Sequence, residues 1–253
     1  MDLKNKVALV AGGASGLGRE VCVDLARAGA LVAVLDRDEQ GVRAVAESLP
    51  RGLAIPADIT DAASVEEAVE RVCAEFGTVH ININTAGVVD AGKIVSRGKP
   101  GSFDDFHRVV NINLCGTFNV MRVAIAAMLR NDPEDGERGV VVNTSSGAAF
   151  EGQPGQAAYS ASKAGLIGLA LPIARELAGK GVRINTIAPG LFDTPMSAGL
   201  PQAVRDGLTA EIPEPSRLGR PEEFARLVRD IVGNGYLNAE CIRLDAAVRM
   251  SHR

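Results

Sequence analysis

Two short patterns in this chain carry residue types that can do chemistry. One is Gly12-Gly13-Ala14-Ser15-Gly16-Leu17-Gly18, set between an apolar run and the first helical pattern. Glycines at such a turn let the backbone approach a pyrophosphate at a helix N-terminus. A tight strand-to-helix turn also calls for glycine, so it is the flanking elements that favour the phosphate reading. Asp36 closes the next apolar run. A carboxylate there accepts both ribose hydroxyls of NAD and repels the 2′-phosphate of NADP. Arg37, its neighbour, is the one residue nearby that suits a phosphate.

The second pattern is Tyr159-x-x-x-Lys163 at the start of a helical stretch. A spacing of four places both side chains on one helix face. Beside a lysine ammonium and a nicotinamide cation a phenolate is favoured, so the tyrosine pKa is expected to fall. Tyr159 then exchanges a proton with a substrate hydroxyl near neutral pH. Ser146 precedes it, just after an apolar run ending at Asn143, and its hydroxyl can bond the same oxygen. Alone, Y-x-x-x-K recurs by chance, and Ser145 and Ser146 equally suit a turn.

These residues need elements to position them. Lys6 to Val10, Leu31 to Leu35, Gly52 to Ala57, Val79 to Asn84, Val140 to Asn143, Val182 to Ile187 and Cys241 to Leu244 read as strands. Pro56 predicts a sheet edge, because proline cannot donate to a central ladder. Helical stripes run from Gly16 to a stop at Gly29, over Glu39 to Leu49, through Val65, Val69, Val72 and Phe76, and over Phe103 to Leu129. Tyr159 to Ala178, with a kink expected at Pro172, and Pro221 to Val232 complete the set. Strands alternating with helices predict a doubly wound α/β domain with a seven-stranded parallel sheet, helices on both faces, spanning 1–253 as one unit. Three weakly periodic stretches, Ala91 to Ser102, Asn131 to Gly139 and Phe192 to Arg217, read as loops over the ligand-binding edge of the sheet. The last is the expected substrate loop.

Composition excludes several alternatives. Hydrophobic residues at 46% and charged residues at 23% describe a globular chain. A net charge of −4 with 4% aromatics gives no nucleic-acid-binding stripe. No apolar run approaches the ~20 residues that span a bilayer, and Met1 to Lys6 is too polar for a signal peptide. Cys22, Cys73, Cys115 and Cys241 sit in apolar contexts without metal-ligand spacing. They are expected to be buried reduced thiols in a cytoplasmic protein. His80, His107 and His252 are too scattered for a zinc site.

Taken together, the glycine motif, Asp36, Asp58, Asn84-Thr85-Ala86-Gly87, Asn113, Ser146, Tyr159, Lys163 and Pro189-Gly190 resemble the short-chain dehydrogenase/reductase family over essentially the whole chain. A closer likeness, to the type II 3-hydroxyacyl-CoA dehydrogenases (17β-hydroxysteroid dehydrogenase type 10), rests on Ala148 to Lys163, Thr186 to Phe192, Pro215 to Gly219, Ile242 to Asp245 and the insertion Asn131 to Gly139. The resemblance implies Tyr159 as general acid/base, Lys163 as its partner on the nicotinamide ribose, Ser146 as the residue holding the substrate oxygen, and Asn113 as anchor of a proton-relay water. It implies cofactor contacts from Gly12, Ser15, Gly16, Leu17, Gly18, Asp36, Asp58, Ile59, Asn84, Ala86, Gly87, Pro189, Gly190, Phe192 and Thr194. Gln153 joins Ser146 and Tyr159 at the substrate. NAD is the implied cofactor, a homotetramer the implied assembly, and a secondary alcohol or ketone, foremost a 3-hydroxyacyl-CoA, the implied substrate. A hydroxysteroid dehydrogenase is the nearest alternative, with a 3-ketoacyl reductase and a non-catalytic scaffold further off.

Three positions depart from the family pattern. Ala11 stands where a threonine usually braces the glycine turn. Thr85 replaces the second asparagine of N-N-A-G. Ala246 and Ala247 follow Asp245 where glycines are common, a change expected to touch a subunit contact or the edge of the substrate pocket.

Overall fold

A computed structural model of the chain describes residues 1–199 and 202–250. Alternation begins with β1 (Val7–Ala11), α1 (Gly16–Arg27), β2 (Leu31–Asp36), α2 (Glu39–Ser48), β3 (Gly52–Pro56), α3 (Ala62–Phe76) and β4 (Ile81–Asn84). A hairpin of β5 (Val95–Ser96) and β6 (Lys99–Pro100) leads into one continuous helix. That helix comprises α4 (Phe103–Val110), a π-helical segment Asn111–Gly116, and α5 (Thr117–Met128). The chain continues through β7 (Gly139–Thr144), a 3-10 turn at Gly147–Ala149, α6 (Ala157–Glu176) and β8 (Val182–Pro189). It ends with α7 (Pro195–Ala198), α8 (Gln202–Ala210), α9 (Pro221–Gly233) and β9 (Cys241–Leu244).

The main sheet has the order β3-β2-β1-β4-β7-β8-β9 with every pair parallel. It is the expected doubly wound α/β fold. Residue parity along each strand sorts the core into two layers. Ala8 and Val10 of β1 join Val32, Val34, Val140 and Val142 under Leu25, Phe224 and Val228 of α1 and α9. Val7 and Leu9 face the other way with Ala33, Leu35 and Val141, beneath Val69, Met121 and Met128 of α3 and α5. Because both faces are covered, the central strands are largely apolar, with the buried Asn82, Asn84 and Asn143 among the exceptions. β3 lies at the sheet edge, as Pro56 predicts.

The order of strands reverses between β1 and β4, which opens a crevice at their carboxyl ends. Two of the three expected loops border this end, and both hold regular structure: the β5–β6 hairpin in the first, α7 and α8 in the last. The third loop, Asn131 to Gly139, lies at the opposite end. It feeds the amino terminus of β7, and its ion pairs reach Met1, Lys6 and Arg183 at the amino ends of β1 and β8. It ties the strand starts together and stands away from the crevice.

Two further expectations are corrected. Cys22 is buried, but Cys73 and Cys241 are half-buried and Cys115 is exposed, on the outward side of the π-helical segment. Phe103–Met128 and Ala157–Glu176 are long and apolar enough to cross a bilayer by length and composition, although their apolar runs are interrupted. One side of each helix packs in the core, and Phe103, Phe106, Phe118 and Leu171 are exposed on the other.

Candidate active site

The glycine turn joins β1 to α1 at the crevice. Gly12 has φ +80°, and a Cβ there would lie 2.4 Å from the Ala86 nitrogen. A Cβ at Gly18 would lie 2.2 Å from the Gly12 carbonyl oxygen. Both positions therefore exclude a side chain, and the turn and the Thr85-Ala86 backbone close on each other. Ser15 precedes α1 with an extended backbone and no side-chain cap bond. Thr194 faces the turn, its Cβ 3.7 Å from a Cβ built at Gly16.

Asp36 ends β2, where its carboxylate accepts from the Asp38 amide at 3.2 Å. Asp58 accepts from the Thr60 amide and hydroxyl, both at 2.8 Å. Those bonds, helped by Arg37, hold its carboxyl below the ordinary value.

β7 delivers the catalytic candidates. It ends at Thr144, and Ser145 donates from its hydroxyl to the Lys163 carbonyl at 2.7 Å, fastening α6 to the strand end. Ser146 accepts from the Ala148 amide at 3.2 Å, and its hydroxyl faces Tyr159, where it works to lower the phenol pKa. Lys163 is buried, and its ammonium donates to the Thr144 carbonyl at 2.8 Å. Its Nζ stands 5.8 Å from the Tyr159 ring centroid. Burial lowers the Lys163 pKa to about 8. For Tyr159 burial raises the pKa, with the Ser146 hydroxyl working against it. The expected fall is for the site with a nicotinamide cation beside Tyr159; by itself, the chain's burial of the phenol opposes the phenolate.

Asn113 lies in the π-helical segment, an irregularity that recurs at functional sites. It donates to the Val88 carbonyl (2.9 Å) and to Ser162 Oγ (3.1 Å), and accepts from the Val88 amide (2.8 Å). Ser162 donates to the Tyr159 carbonyl at 2.7 Å. A Cβ at Gly87 would meet Asn113 Oδ1 at 3.2 Å and Lys163 Nζ at 3.3 Å. Gly87, Asn113 and Lys163 thus converge, and Ser162 is a supporting residue that the sequence patterns do not mark.

Three of the expected cofactor-contact residues have their side chains packed elsewhere. The Asn84 side chain donates to Asn82 and Asn143 inside the sheet (2.8 and 2.9 Å). Its parity on β4 turns it inward, leaving Ala86 and Gly87 at the crevice. Phe192 is buried against Phe224, ring centroids 6.2 Å apart and edge-on. Ile59 is buried against Gly116 of the π-helical segment. Gln153, by contrast, lines a cleft with Gly147, Leu191, Leu208 and Met250, and Gly190 borders the same cleft. Among the described residues no group of three His, Cys, Asp or Glu could hold a metal.

A nucleotide-binding crevice beside a Ser-Tyr-Lys constellation defines an oxidoreductase of the nicotinamide type. The family model for short chain dehydrogenase matches residues 6–205, and the chain belongs to that family. It is 47% identical to human 3-hydroxyacyl-CoA dehydrogenase type-2, over 98% of this chain and 97% of the relative. With the enzyme of that name from Drosophila melanogaster it shares 49% identity, over 98% and 99%. A crystal structure of 3-hydroxyacyl-CoA dehydrogenase type-2 from Mycobacterium avium superposes with a TM-score of 0.94 at 38% identity, covering 98% of each chain.

Proposed function

We propose that this enzyme interconverts L-3-hydroxyacyl-CoA and 3-ketoacyl-CoA with NAD. The convergence of Ser146, Tyr159 and Lys163 beside the glycine crevice carries the reading. Relatives named for that activity, similar over nearly their full length, support the substrate class.

The crevice fits a dinucleotide, since Gly12 and Gly18 leave a cradle that a Cβ would fill. Gly12, Ser15, Gly16, Leu17, Asp36 and Asp58 would hold the adenosine and pyrophosphate, and Gly87, Tyr159, Lys163, Pro189, Gly190 and Thr194 the nicotinamide half. Asp36 favours two ribose hydroxyls over a 2′-phosphate. When bound, NAD supplies the hydride acceptor.

The chain's own residues manage the proton. Burial keeps Tyr159 protonated, ready to donate to a ketone oxygen that Ser146 also holds. Running the reaction toward the ketone needs the phenolate, and therefore added positive charge beside Tyr159. Lys163 supplies part of it. Lys93, Arg97 and Lys99 on the exposed hairpin segment suit the phosphates of coenzyme A. That segment is fastened near the site by the Gly92 amide, which donates to the Gly155 carbonyl at 2.8 Å.

The test is a substrate panel. We expect acetoacetyl-CoA to be reduced with NADH, at least about 100-fold better than with NADPH, given the charge opposing a 2′-phosphate. A hydroxysteroid or its ketone turning over well while acetoacetyl-CoA does not would overturn the substrate assignment.

The same reading includes a homotetramer in the cytoplasm. The exposed Phe103, Phe106, Phe118 and Leu171 on the two long helices support burial of those faces between copies. Light scattering at four times the chain mass is the expected result.

A further inference from the structure

The segment that follows β9 is held in an unusual way. Ala246 and Ala247 both have positive φ, 50° and 61°, which side-chain-bearing residues rarely adopt. The Asp245 carboxylate accepts from the Ala247 amide at 3.1 Å, and the Asp245 carbonyl accepts from the Val248 amide at 2.9 Å. Asp245 itself is pressed against Gly190, where a Cβ would lie 2.8 Å from its own. The alanines therefore keep the backbone that glycines would provide, and the chain folds back over the substrate side of the crevice.

Glu151 fastens the far end of this segment. It lies on the loop between Ser146 and Tyr159. Arg243 reaches both its carboxylate oxygens, at 2.9 and 3.2 Å. Arg249 pairs with it at 3.3 Å, and the Met250 amide donates to it at 3.2 Å. Arg243 and Arg249 also pair with Asp245, at 2.6 and 3.1 Å. The Arg243 guanidinium lies 5.1 Å from the Phe150 ring centroid. The network bonds Val248–Met250 to the turn that carries Ser146, and both residues line the cleft beside Gly147, Gln153 and Leu208. The free volume of that cleft is about 20 Å3, room for about one water.

We propose that Val248 and Met250 are specificity-determining residues that limit acyl-chain length, and that Glu151 is the positioning residue that latches them in place. The proposal rests on the acyl-CoA reading and deepens it. With the latch closed the cleft admits a short chain. A longer chain must displace Met250, and with it the bonds to Glu151. Methionine suits such a wall, because its unbranched thioether repacks readily.

The test compares kcat/KM for acetoacetyl-CoA and 3-ketodecanoyl-CoA in the wild type, Glu151→Gln and Met250→Ala. Both variants are expected to shift the ratio toward the longer substrate by about tenfold. In Glu151→Gln the loss on acetoacetyl-CoA falls on KM more than on kcat. Met250→Ala leaves every ion pair intact, so it reports on the wall even where Glu151→Gln folds poorly. Equal changes for both substrates in both variants would overturn the proposal. Amide hydrogen exchange over 245–250 supplies a readout without substrate: it rises in Glu151→Gln, and unchanged exchange overturns the latch. A wild type inactive on either thioester refutes the function reading, while the exchange measurement still decides the latch.

Discussion

The Thr85 hydroxyl donates to the Ala11 carbonyl at 2.8 Å and lies 3.3 Å from the Gly12 carbonyl. Two departures from the family pattern are thereby one exchange. Ala11 lacks the hydroxyl that usually braces the glycine turn, and Thr85, just past the end of the neighbouring strand β4, supplies one. The Ala11 carbonyl also accepts from the Thr85 and Ala86 amides, at 2.8 and 3.1 Å. Removing the hydroxyl therefore strands no buried acceptor.

Thr85→Ala should fold and weaken NADH binding about fivefold, the size of one net hydrogen bond, with kcat little changed. Thr85→Ser should bind as the wild type does. Introducing Ala11→Thr into the Thr85→Ala background should restore affinity. Fluorescence titration with NADH measures all three, and full affinity in Thr85→Ala would show that the bond braces nothing.

Tyr159→Phe removes the proton donor and keeps the ring. Turnover should drop by about a thousandfold, while NADH still binds. Ser146→Ala should cost about a hundredfold in kcat, since one hydrogen bond to the reacting oxygen is lost. Steady-state kinetics beside a binding titration separates chemistry from cofactor affinity, and near-normal kcat in Tyr159→Phe would refute its role.

Lys163 pits stability against function. Its folded pKa of about 8 lies below the ordinary 10.5. The unfolded chain thus binds the extra proton between those values, and wild-type stability rises with pH across that window. Below it the buried ammonium costs a few kcal/mol. Lys163→Met should be inactive, and the wild type should gain stability relative to it between pH 8 and 10.5. Parallel urea denaturation curves at pH 7.5 and 10 measure the difference; no relative gain by the wild type would contradict the burial argument.

His80 gives the opposite end of the sheet a pH dependence. Its Nδ1 accepts from the Val7 amide at 3.1 Å, and burial, reinforced by Lys6, lowers its pKa below 6.5. Native structure favours the neutral ring, so this contribution is intact above pH 6.5 and is lost as pH falls through the folded pKa. His80→Asn keeps an acceptor without titrating in that range. Its melting temperature should fall less than the wild type's between pH 7 and 5, as calorimetry would show.

What the amino-acid sequence determined by itself was whatever depends on local spacing. The glycine turn, the i, i+4 pairing of Tyr159 with Lys163, the edge strand at Pro56 and the alternation of strands and helices all follow from nearby residues. Tertiary structure decided the rest, because each remaining feature depends on what packs across from a residue. Asn84 turns into the sheet and Phe192 into the core only because Asn143 and Phe224 lie opposite. Burial of Tyr159 by distant segments raises its pKa, a contribution that the i, i+4 spacing with Lys163 does not carry. The π-helical segment places Asn113 between Val88 and Ser162 with no mark in the local pattern. The Thr85 brace and the Glu151 latch join residues 74 and 92 positions from their partners, distances over which a sequence motif carries no geometry.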